Sequence, residues 1–173
     1  MDAAHMTDNR ALRQCLRFSL AGENYAIDIL RSREVMRYRQ VTRVPKAMDG
    51  LVGVINLRGN VIPVVDMRVK LDLPPVEDHQ GSAIVMTEVY YKEEPVVIGA
   101  LVDSVSSVAA IPEEDLKPPP EVGLDIDSTL VSGLWNQEQG DQFVILLDVD
   151  KIFGANEVSA AMEQSEAMAE QGA

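Results

Sequence analysis

The fold is decided by residues 48–71, whose sequence is MDGLVGVINLRGNVIPVVDMRVKL. Two apolar runs rich in β-branched residues, 51–57 and 61–65, are joined by a short polar link that contains Gly and Asn, and this pattern predicts a β-hairpin. The second run shows no polar alternation, so we expect both of its faces to be buried. Pro63 lacks a backbone N–H, which predicts a sheet edge or a β-bulge at that position.

Arg58 lies at the tip of this predicted hairpin, between an apolar run and a glycine. One interpretation is a solvated turn arginine. The other is a fixed guanidinium that pairs with a carboxylate and shapes a contact surface, because the planar guanidinium binds a carboxylate through two parallel hydrogen bonds. The residues of the hairpin leave both interpretations open.

The remaining pattern is that of an all-β protein with about ten short strands. Alternating apolar and polar residues over 16–20 and 25–29 predict a second antiparallel hairpin. Other strands are predicted over 83–86, 96–102, 105–111, 130–135 and 143–149, with the last turn near 140–141. A short helical turn is expected at 68–71, a strand or turn at 34–38, and an irregular, proline-rich crossover at 112–127.

Two further patterns concern the ends of elements. Three apolar runs stop at an aspartate, namely Asp66, Asp103 and Asp148. Aspartate disfavours a continuing strand and accepts hydrogen bonds from nearby backbone N–H groups, so each is predicted to end its strand through local bonds.

After residue 156 the good helix formers Ala, Glu, Gln and Met predict a helix over 157–170, with a weak apolar stripe of Val158, Ala161, Met162 and Met168.

The charge of the 173-residue chain is unevenly distributed. Residues 1–70 hold 12 of the 15 Lys and Arg and 7 of the 28 Asp and Glu, a charge of +5, whereas residues 71–173 carry −18. The net charge of −13 opposes binding to nucleic-acid phosphates. Alternate arginines at positions 31, 33, 37, 39 and 43 predict either a solvated strand face or a docking strip for an acidic partner.

The sequence offers little for catalysis. Its two histidines, His5 and His79, fall in polar segments and are predicted to be solvated, which argues against Ser-His-Asp and Cys-His sites. Cys15 lies in a strand pattern and is expected to be an inert packing thiol. No phosphate-binding glycine motif and no calcium-binding loop is present. We therefore expect no catalytic residues, no metal and no cofactor.

Size and composition predict one domain, or two small subdomains that share a core. A single cysteine excludes an internal disulfide and suits a reducing compartment. The N-terminal residues lack the apolar segment of a signal peptide, and no apolar run approaches the ~18 residues of a membrane span. A cytosolic protein is expected.

Several ordered blocks resemble the CheW family, the adaptors that couple bacterial chemoreceptors to the chemotaxis histidine kinase. The blocks are GVINLRG (53–59), VIPVVD-x-R (61–68), YAIDIL (25–30), REV (33–35), TRVP (42–45) and GALVD (99–103). Together they extend the resemblance over residues 16–153. The resemblance implies an all-β fold of two five-stranded SH3/OB-like β-barrel subdomains, followed by a C-terminal helix.

The expected domain organisation follows from the extent of these blocks. We place a flexible N-terminal tail at 1–13, the CheW-like domain at 14–154 with its subdomain boundary near 70–82, and an acidic helical or flexible tail at 155–173.

The resemblance also implies a function and its residues. It predicts a non-catalytic scaffold whose partners are the regulatory domain of the histidine kinase and the cytoplasmic tip of a methyl-accepting chemoreceptor. Glu34, Val35, Gly53 and Arg58 match receptor-contacting or groove-shaping positions, and Arg58 is implied to pair with Glu34. Ile29 and Val41 are expected to contact the kinase, from position alone.

These expectations place the protein in the cytoplasm, at receptor arrays on the inner face of the membrane, with no nucleic-acid partner and no direct membrane insertion. Two alternatives stay open. One is a CheW-like adaptor of a non-flagellar chemosensory pathway. The other is a small-ligand-binding β-barrel, which requires a pocket with convergent polar groups.

Overall fold

The structure, a computed structural model, describes residues 11–120, 123–124, 126–136 and 142–171. Its strands are β1 (Leu12–Leu20), β2 (Glu23–Asp28), β3 (Ser32–Arg37), β4 (Leu51–Leu57), β5 (Asn60–Asp66), β6 (Ala83–Tyr91), β7 (Glu94–Val102), β8 (Ser104–Pro112), β9 (Val131–Trp135) and β10 (Val144–Leu147). The α-helices are α1 (Met67–Lys70), α2 (Val149–Ile152) and α3 (Ala155–Gln171). Short 3₁₀ turns cover Ile29–Arg31, Glu113–Asp115 and Ser128–Leu130.

The strands form two five-stranded sheets, which confirms the all-β prediction. The central sheet has the order β3-β6-β7-β5-β4, and the terminal sheet, named for the ends of the chain, has the order β8-β1-β2-β10-β9. Each sheet contains one parallel pair, β5 with β7 and β10 with β2, among antiparallel neighbours. Among the described residues the two end strands of each sheet are not paired with each other, so the implied barrels are open.

The hairpin predicted from residues 48–71 is formed by β4 and β5. Leu57 pairs with Asn60, so the turn consists of Arg58 and Gly59, with φ angles of 52° and 86°. Positive φ at both central residues is the type I′ geometry, whose twist matches that of the flanking strands. Val64 and Val65 are fully buried, and buried residues continue through Asp66, which confirms that both faces of β5 are covered.

Pro63 does not mark a sheet edge, because β5 lies between β4 and β7. Opposite it, the N–H and C=O groups of Val54 both bond to Thr42, so Val54 does not require a donor from Pro63. The parallel pairing with β7 begins one residue later, at Val64. The missing N–H is therefore tolerated inside the sheet because neither neighbour needs it. The β4–β5 register also shifts nearby, between Leu51 and Gly53.

The main core lies between the sheets and draws on both of them. Phe18 and Tyr25 of the terminal sheet, which stack at 6.1 Å between ring centroids, pack in one cluster with Val85 and Ala100 of the central sheet. A smaller cluster beneath the terminal sheet contains Cys15, which is fully buried. Burial raises the pKa of this thiol to about 11, which confirms the predicted inert thiol.

The strand-ending aspartates act in two different ways. Asp66 accepts a hydrogen bond from the N–H of Arg68, and Asp148 accepts bonds from the N–H groups of Asp150 and Lys151, so both end their strand through local bonds as predicted. Each also caps the short helix that follows. Asp103 differs from the prediction. Its carboxylate accepts the N–H of Ala21 at 2.8 Å and pairs with the Arg68 guanidinium, both distant in sequence.

The remaining expectations have mixed outcomes. The segment left open at 34–38 is strand β3, and a helical turn follows β5 as α1. The last hairpin, β9 with β10, is antiparallel as predicted, but its turn near 140–141 lies outside the described residues. A flexible tail was expected at 1–13, but β1 already begins at Leu12. Residues 1–10 of that expected tail lie outside the described residues.

Helix α3 packs on the central sheet with the face that the sequence indicates. Val158 and Ala161 are almost fully buried, and Met162 packs against the main core. Glu157 pairs with Lys70, and the Gln164 side-chain oxygen accepts the N–H of Met48 at 3.2 Å. No helix in the described ranges is both long and apolar enough to cross a membrane.

Candidate functional site

A groove of about 360 Å³ opens on the central sheet beside the β4–β5 turn, and we call it the Arg58 groove. Its lining residues are Arg33, Glu34, Leu57, Arg58, Asn60, Ile62, Met86 and Val97. Ile62 and Met86 are buried and form an apolar floor, whereas Arg58 and Glu34 stand at the rim. An apolar floor with a charged rim suits the apolar face of a helix, whose polar side then meets the rim.

The charged rim consists of a two-point ion pair. Arg58 Nη1 lies 2.8 Å from Glu34 Oε2, and Arg58 Nη2 lies 3.4 Å from Glu34 Oε1. The hydrogen bond that Arg58 donates to Glu34 and the negative charge of that carboxylate raise the pKa of Arg58, which stays protonated. The structure thus contains the pairing implied for these residues, on an arginine that is also solvated at a turn. Their side chains are 71% and 35% exposed, so a partner can reach both.

The β4–β5 turn holds Arg58 in place. The Asn56 side-chain oxygen accepts the N–H of Gly59 at 3.1 Å, which closes the turn beneath Arg58. The Asn56 carbonyl accepts a hydrogen bond from Arg39 Nη2 at 2.6 Å. The guanidinium therefore projects from a turn whose backbone is fixed on both sides.

Val35 does not share the groove with Glu34. Successive side chains of a strand point to opposite faces, and the burial of β3 alternates accordingly. Val35 is 42% exposed on the opposite face. The structure thus unites Glu34 and Arg58, while Val35 offers a separate apolar contact point on the same strand.

Gly53 is a packing requirement and lies away from the groove. A Cβ atom at this position would lie 2.3 Å from the carbonyl oxygen of Thr42 and 2.9 Å from its carbonyl carbon. The crowding expected at Gly53 is therefore present, although it comes from the segment before β4 and not from the hairpin. That approach is possible because Thr42 bridges to Val54, next to Gly53.

The two residues expected to face the kinase differ in accessibility. Val41 is only 9% exposed and packs with Ile55 and Ile62, so it presents little surface. Ile29 is half-buried in the 3₁₀ turn that connects the two sheets. Its neighbour Leu30 is 81% exposed, the largest value among the exposed large hydrophobic residues described. Sequence reasoning missed Leu30 because the apolar alternation of 25–29 placed it on the polar side.

The alternate arginines do not form a continuous strip. Arg31 binds Asp150, Arg33 pairs with Glu88, and Arg39 binds a backbone carbonyl. Because β3 covers only positions 32–37, residues 39 and 43 follow a different path. The docking-strip interpretation is therefore wrong for the series as a whole.

A wider, more polar groove of about 1010 Å³ lies between residues 38–44 and 76–79. His79 lines this groove. It was predicted to be solvated, but its side chain is only 17% exposed, and its ring centroid lies 5.4 Å from that of Tyr38. Its Nε2 atom is 4.0 Å from Asp66 Oδ2. In the part of the chain that the structure describes, no three His, Cys, Asp or Glu side chains are placed to share a metal ion.

Comparison with known proteins gives a consistent result. Residues 14–157 match the CheW-like domain. The chain is 32% identical over 147 residues to the chemotaxis protein CheW of Klebsiella aerogenes, with 85% of each chain covered. It is 28% identical over 159 residues to CheW of Rhizobium meliloti, covering 92% of this chain and 97% of the relative. Among solved structures, the scaffolding protein TtCheW from Thermoanaerobacter tengcongensis matches with a TM-score of 0.72 and 30% identity, covering 85% of this chain and 96% of that one.

Proposed function

The chain belongs to the CheW-like domain family, and we propose that it is a non-catalytic adaptor that couples chemoreceptors to the chemotaxis histidine kinase. The observation that carries this proposal is the Arg58–Glu34 pair at the rim of an apolar groove, at the positions where the family resemblance expects it. The relatives are described as chemotaxis proteins and the solved structure as a scaffolding protein, in line with the same role.

The Arg58 groove is the proposed receptor site. A receptor's cytoplasmic tip is a helical hairpin, and a groove with a buried apolar floor accommodates the apolar face of a helix. Glu34 and Arg58 fix the register of the helix through their charges. Val35 extends the contact on the other face of β3, and Gly53 allows the segment before β4 to pack against the hairpin.

The kinase site is proposed around the 3₁₀ turn Ile29–Arg31. Ile29 and Val41 are the predicted contacts, and the exposed Leu30 adds the apolar side chain that a regulatory domain would cover. The adaptor then acts in the cytoplasm, at receptor arrays on the inner face of the membrane.

The test is a titration of the protein with a receptor cytoplasmic fragment and, separately, with a kinase regulatory domain. We expect the wild type to bind both, and Arg58→Ala to lose about tenfold in affinity for the receptor fragment alone. Arg37→Ala, which removes an exposed arginine from β3, the strand that carries Glu34, is the matched control and should bind both partners normally.

Two results would change the proposal. Equal receptor affinity of Arg58→Ala and wild type would remove Arg58 from the site. A folded protein that binds neither partner would contradict the adaptor function, and a thermal-shift screen of small metabolites would then test the ligand-binding alternative. Receptor fragments from a swimming pathway and from a non-flagellar pathway, compared side by side, would show which pathway the adaptor serves.

A further inference from the structure

The chain passes between the two sheets at two links, and each link is held by an arginine–aspartate pair. The first link is the 3₁₀ turn between β2 and β3, where Arg31 binds Asp150 of α2. The second is Asp103 between β7 and β8, which binds Arg68 of α1. The charges are reversed: the arginine lies on the link in the first pair and on the short helix in the second.

Arg31 is held from both sheets at once. Its Nη1 and Nη2 atoms donate to the two carboxylate oxygens of Asp150 at 2.9 and 2.7 Å, and its Nε atom donates to the Glu88 carbonyl at 3.0 Å. The guanidinium carbon also lies 5.7 Å from the Tyr90 ring centroid. Only 20% of the side chain is exposed. Asp150 follows β10 of the terminal sheet, whereas Glu88 and Tyr90 belong to β6 of the central sheet.

The strand that follows Arg31 contains a β-bulge. Ser32 pairs with Thr87 and Glu34 with Met86, so Arg33 is an extra residue on β3. A bulge bends its strand and re-aims the side chains next to it. Both arginines that flank Ser32 bind Glu88: Arg31 binds its carbonyl and Arg33 pairs with its carboxylate. These contacts hold the bulge from both sides, directly before Glu34.

We propose that Arg31 is a positioning residue for the Arg58 groove. Anchored to Asp150 and Glu88, it fixes the bulge in β3, and the bulge presents Glu34 to Arg58. β3 is an end strand of the central sheet and pairs with β6 alone among the described strands, so its start depends on such side-chain anchors. The inference rests on the proposed function only where it names this groove as the receptor site.

Asp150 allows the test without disturbing the groove or the core. Its side chain is 63% exposed, so Asp150→Asn removes the charge with little change in packing, while Arg31 keeps its hydrogen bond to the Glu88 carbonyl. Asp150→Glu keeps the charge. Glu113→Gln is the matched control because it breaks another partly exposed ion pair, Arg13–Glu113 at 3.1 Å, on the terminal sheet.

The first measurement is direct and needs no partner: the NMR signal of the Arg58 side-chain Nε–Hε group in the full chain. In Asp150→Asn we expect this signal to move toward that of Glu34→Gln, in which the rim pair is weakened. It should stay at the wild-type position in Asp150→Glu and in Glu113→Gln. An unmoved Arg58 signal in Asp150→Asn would overturn the proposal whether or not the chain binds a receptor.

The second measurement is the affinity for the receptor fragment. We expect Asp150→Asn to weaken it about fivefold and Asp150→Glu to restore it to within about twofold of wild type. Equal weakening by Asp150→Asn and Glu113→Gln would reduce Arg31 to a general structural role and overturn the proposal. If the wild type itself does not bind the fragment, the proposed function fails, and the NMR result still decides the role of Arg31.

Discussion

The side chain of Arg58 combines high exposure with a fixed geometry. Its ion pair with Glu34 stands in water, where the attraction is screened and the side chains keep other ways to be solvated. Such a pair shapes a surface more than it stabilises a fold. We therefore expect Arg58 to contribute to partner binding and not to the stability of the fold.

The first prediction concerns the stability of Arg58→Ala. We expect its melting temperature to stay within about 2 °C of wild type, because alanine accepts the positive φ no worse than arginine and little burial is lost. Differential scanning calorimetry measures this. A much larger decrease would mean that Arg58 supports the hairpin itself, and the binding loss of this variant would then need another explanation.

Gly53 has the opposite character, since its role is entirely internal. A methyl group there would overlap the Thr42 backbone, which cannot move without breaking its bridge to Val54. We predict that Gly53→Ala lowers the free energy of unfolding by about 2–3 kcal/mol, as overpacking of a closed site does. Urea denaturation measures the loss.

A matched control for this prediction is Gly154→Ala. At Gly154 an added Cβ would meet no atom within 4 Å, and we expect a change below about 1 kcal/mol. If both substitutions proved equally mild, the segment before β4 would be able to retreat, and the crowding at Gly53 would carry little energy.

Of the secondary-structure elements, the strands are the ones that the sequence predicts most directly. The β4–β5 hairpin was predictable because its run of apolar residues is long and its turn residues are specific. Pro63 was misjudged because its tolerance depends on Thr42 and β7, which the local sequence does not reveal. The partner of Asp103 was hidden for the same reason, since Arg68 reaches it only after both sheets have formed.

The docking of helix α3 on the central sheet depends on its buried face. Ala161 is 1% exposed against the central sheet, whereas Ala167 is exposed on the other side of the same helix. We predict that Ala161→Glu releases α3, because a buried carboxylate without a partner is costly, and that Ala167→Glu leaves it docked. Hydrogen exchange of the amides of residues 155–171 should speed up in the first variant only, while the strands stay protected. Unchanged protection in both would mean that α3 is stable without the sheet.

For the whole molecule, the relation between the two sheets depends on contacts that no single segment encodes. The resemblance gave the two five-stranded units and the pairing of Glu34 with Arg58. The link pairs, the bulge at Arg33 and the exposure of Leu30 required the assembled structure, since each depends on residues far apart in sequence.

The pair at the second link predicts how stability depends on pH. Burial alone would raise the pKa of Asp103, but hydrogen bonds from Arg68 and from the Ala21 N–H outweigh it and hold the pKa below its ordinary value of 3.8. A carboxyl with a lowered pKa stabilises the folded state above the unfolded pKa and loses that contribution as the pH falls through the folded pKa.

We therefore expect Asp103→Asn to be less stable than wild type near neutral pH, and the difference to shrink as the pH falls below 3.8. Urea midpoints of both proteins across this range measure it. A difference that stays constant with pH would show that the carboxylate charge of Asp103 contributes nothing to the fold, and that only its shape or hydrogen bonds matter.

The order of the strands has a consequence for the newly made chain. The central sheet consists of β3–β7, an unbroken stretch that is complete once Val102 has left the ribosome. The hairpin β1–β2 emerges earlier, yet its neighbours β8 and β10 are made last. Until Leu147 appears, its apolar residues Phe18 and Tyr25 and the free edge of β2 lack their final cover. Of the described strands, β1 and β2 are thus made earliest and sheltered last.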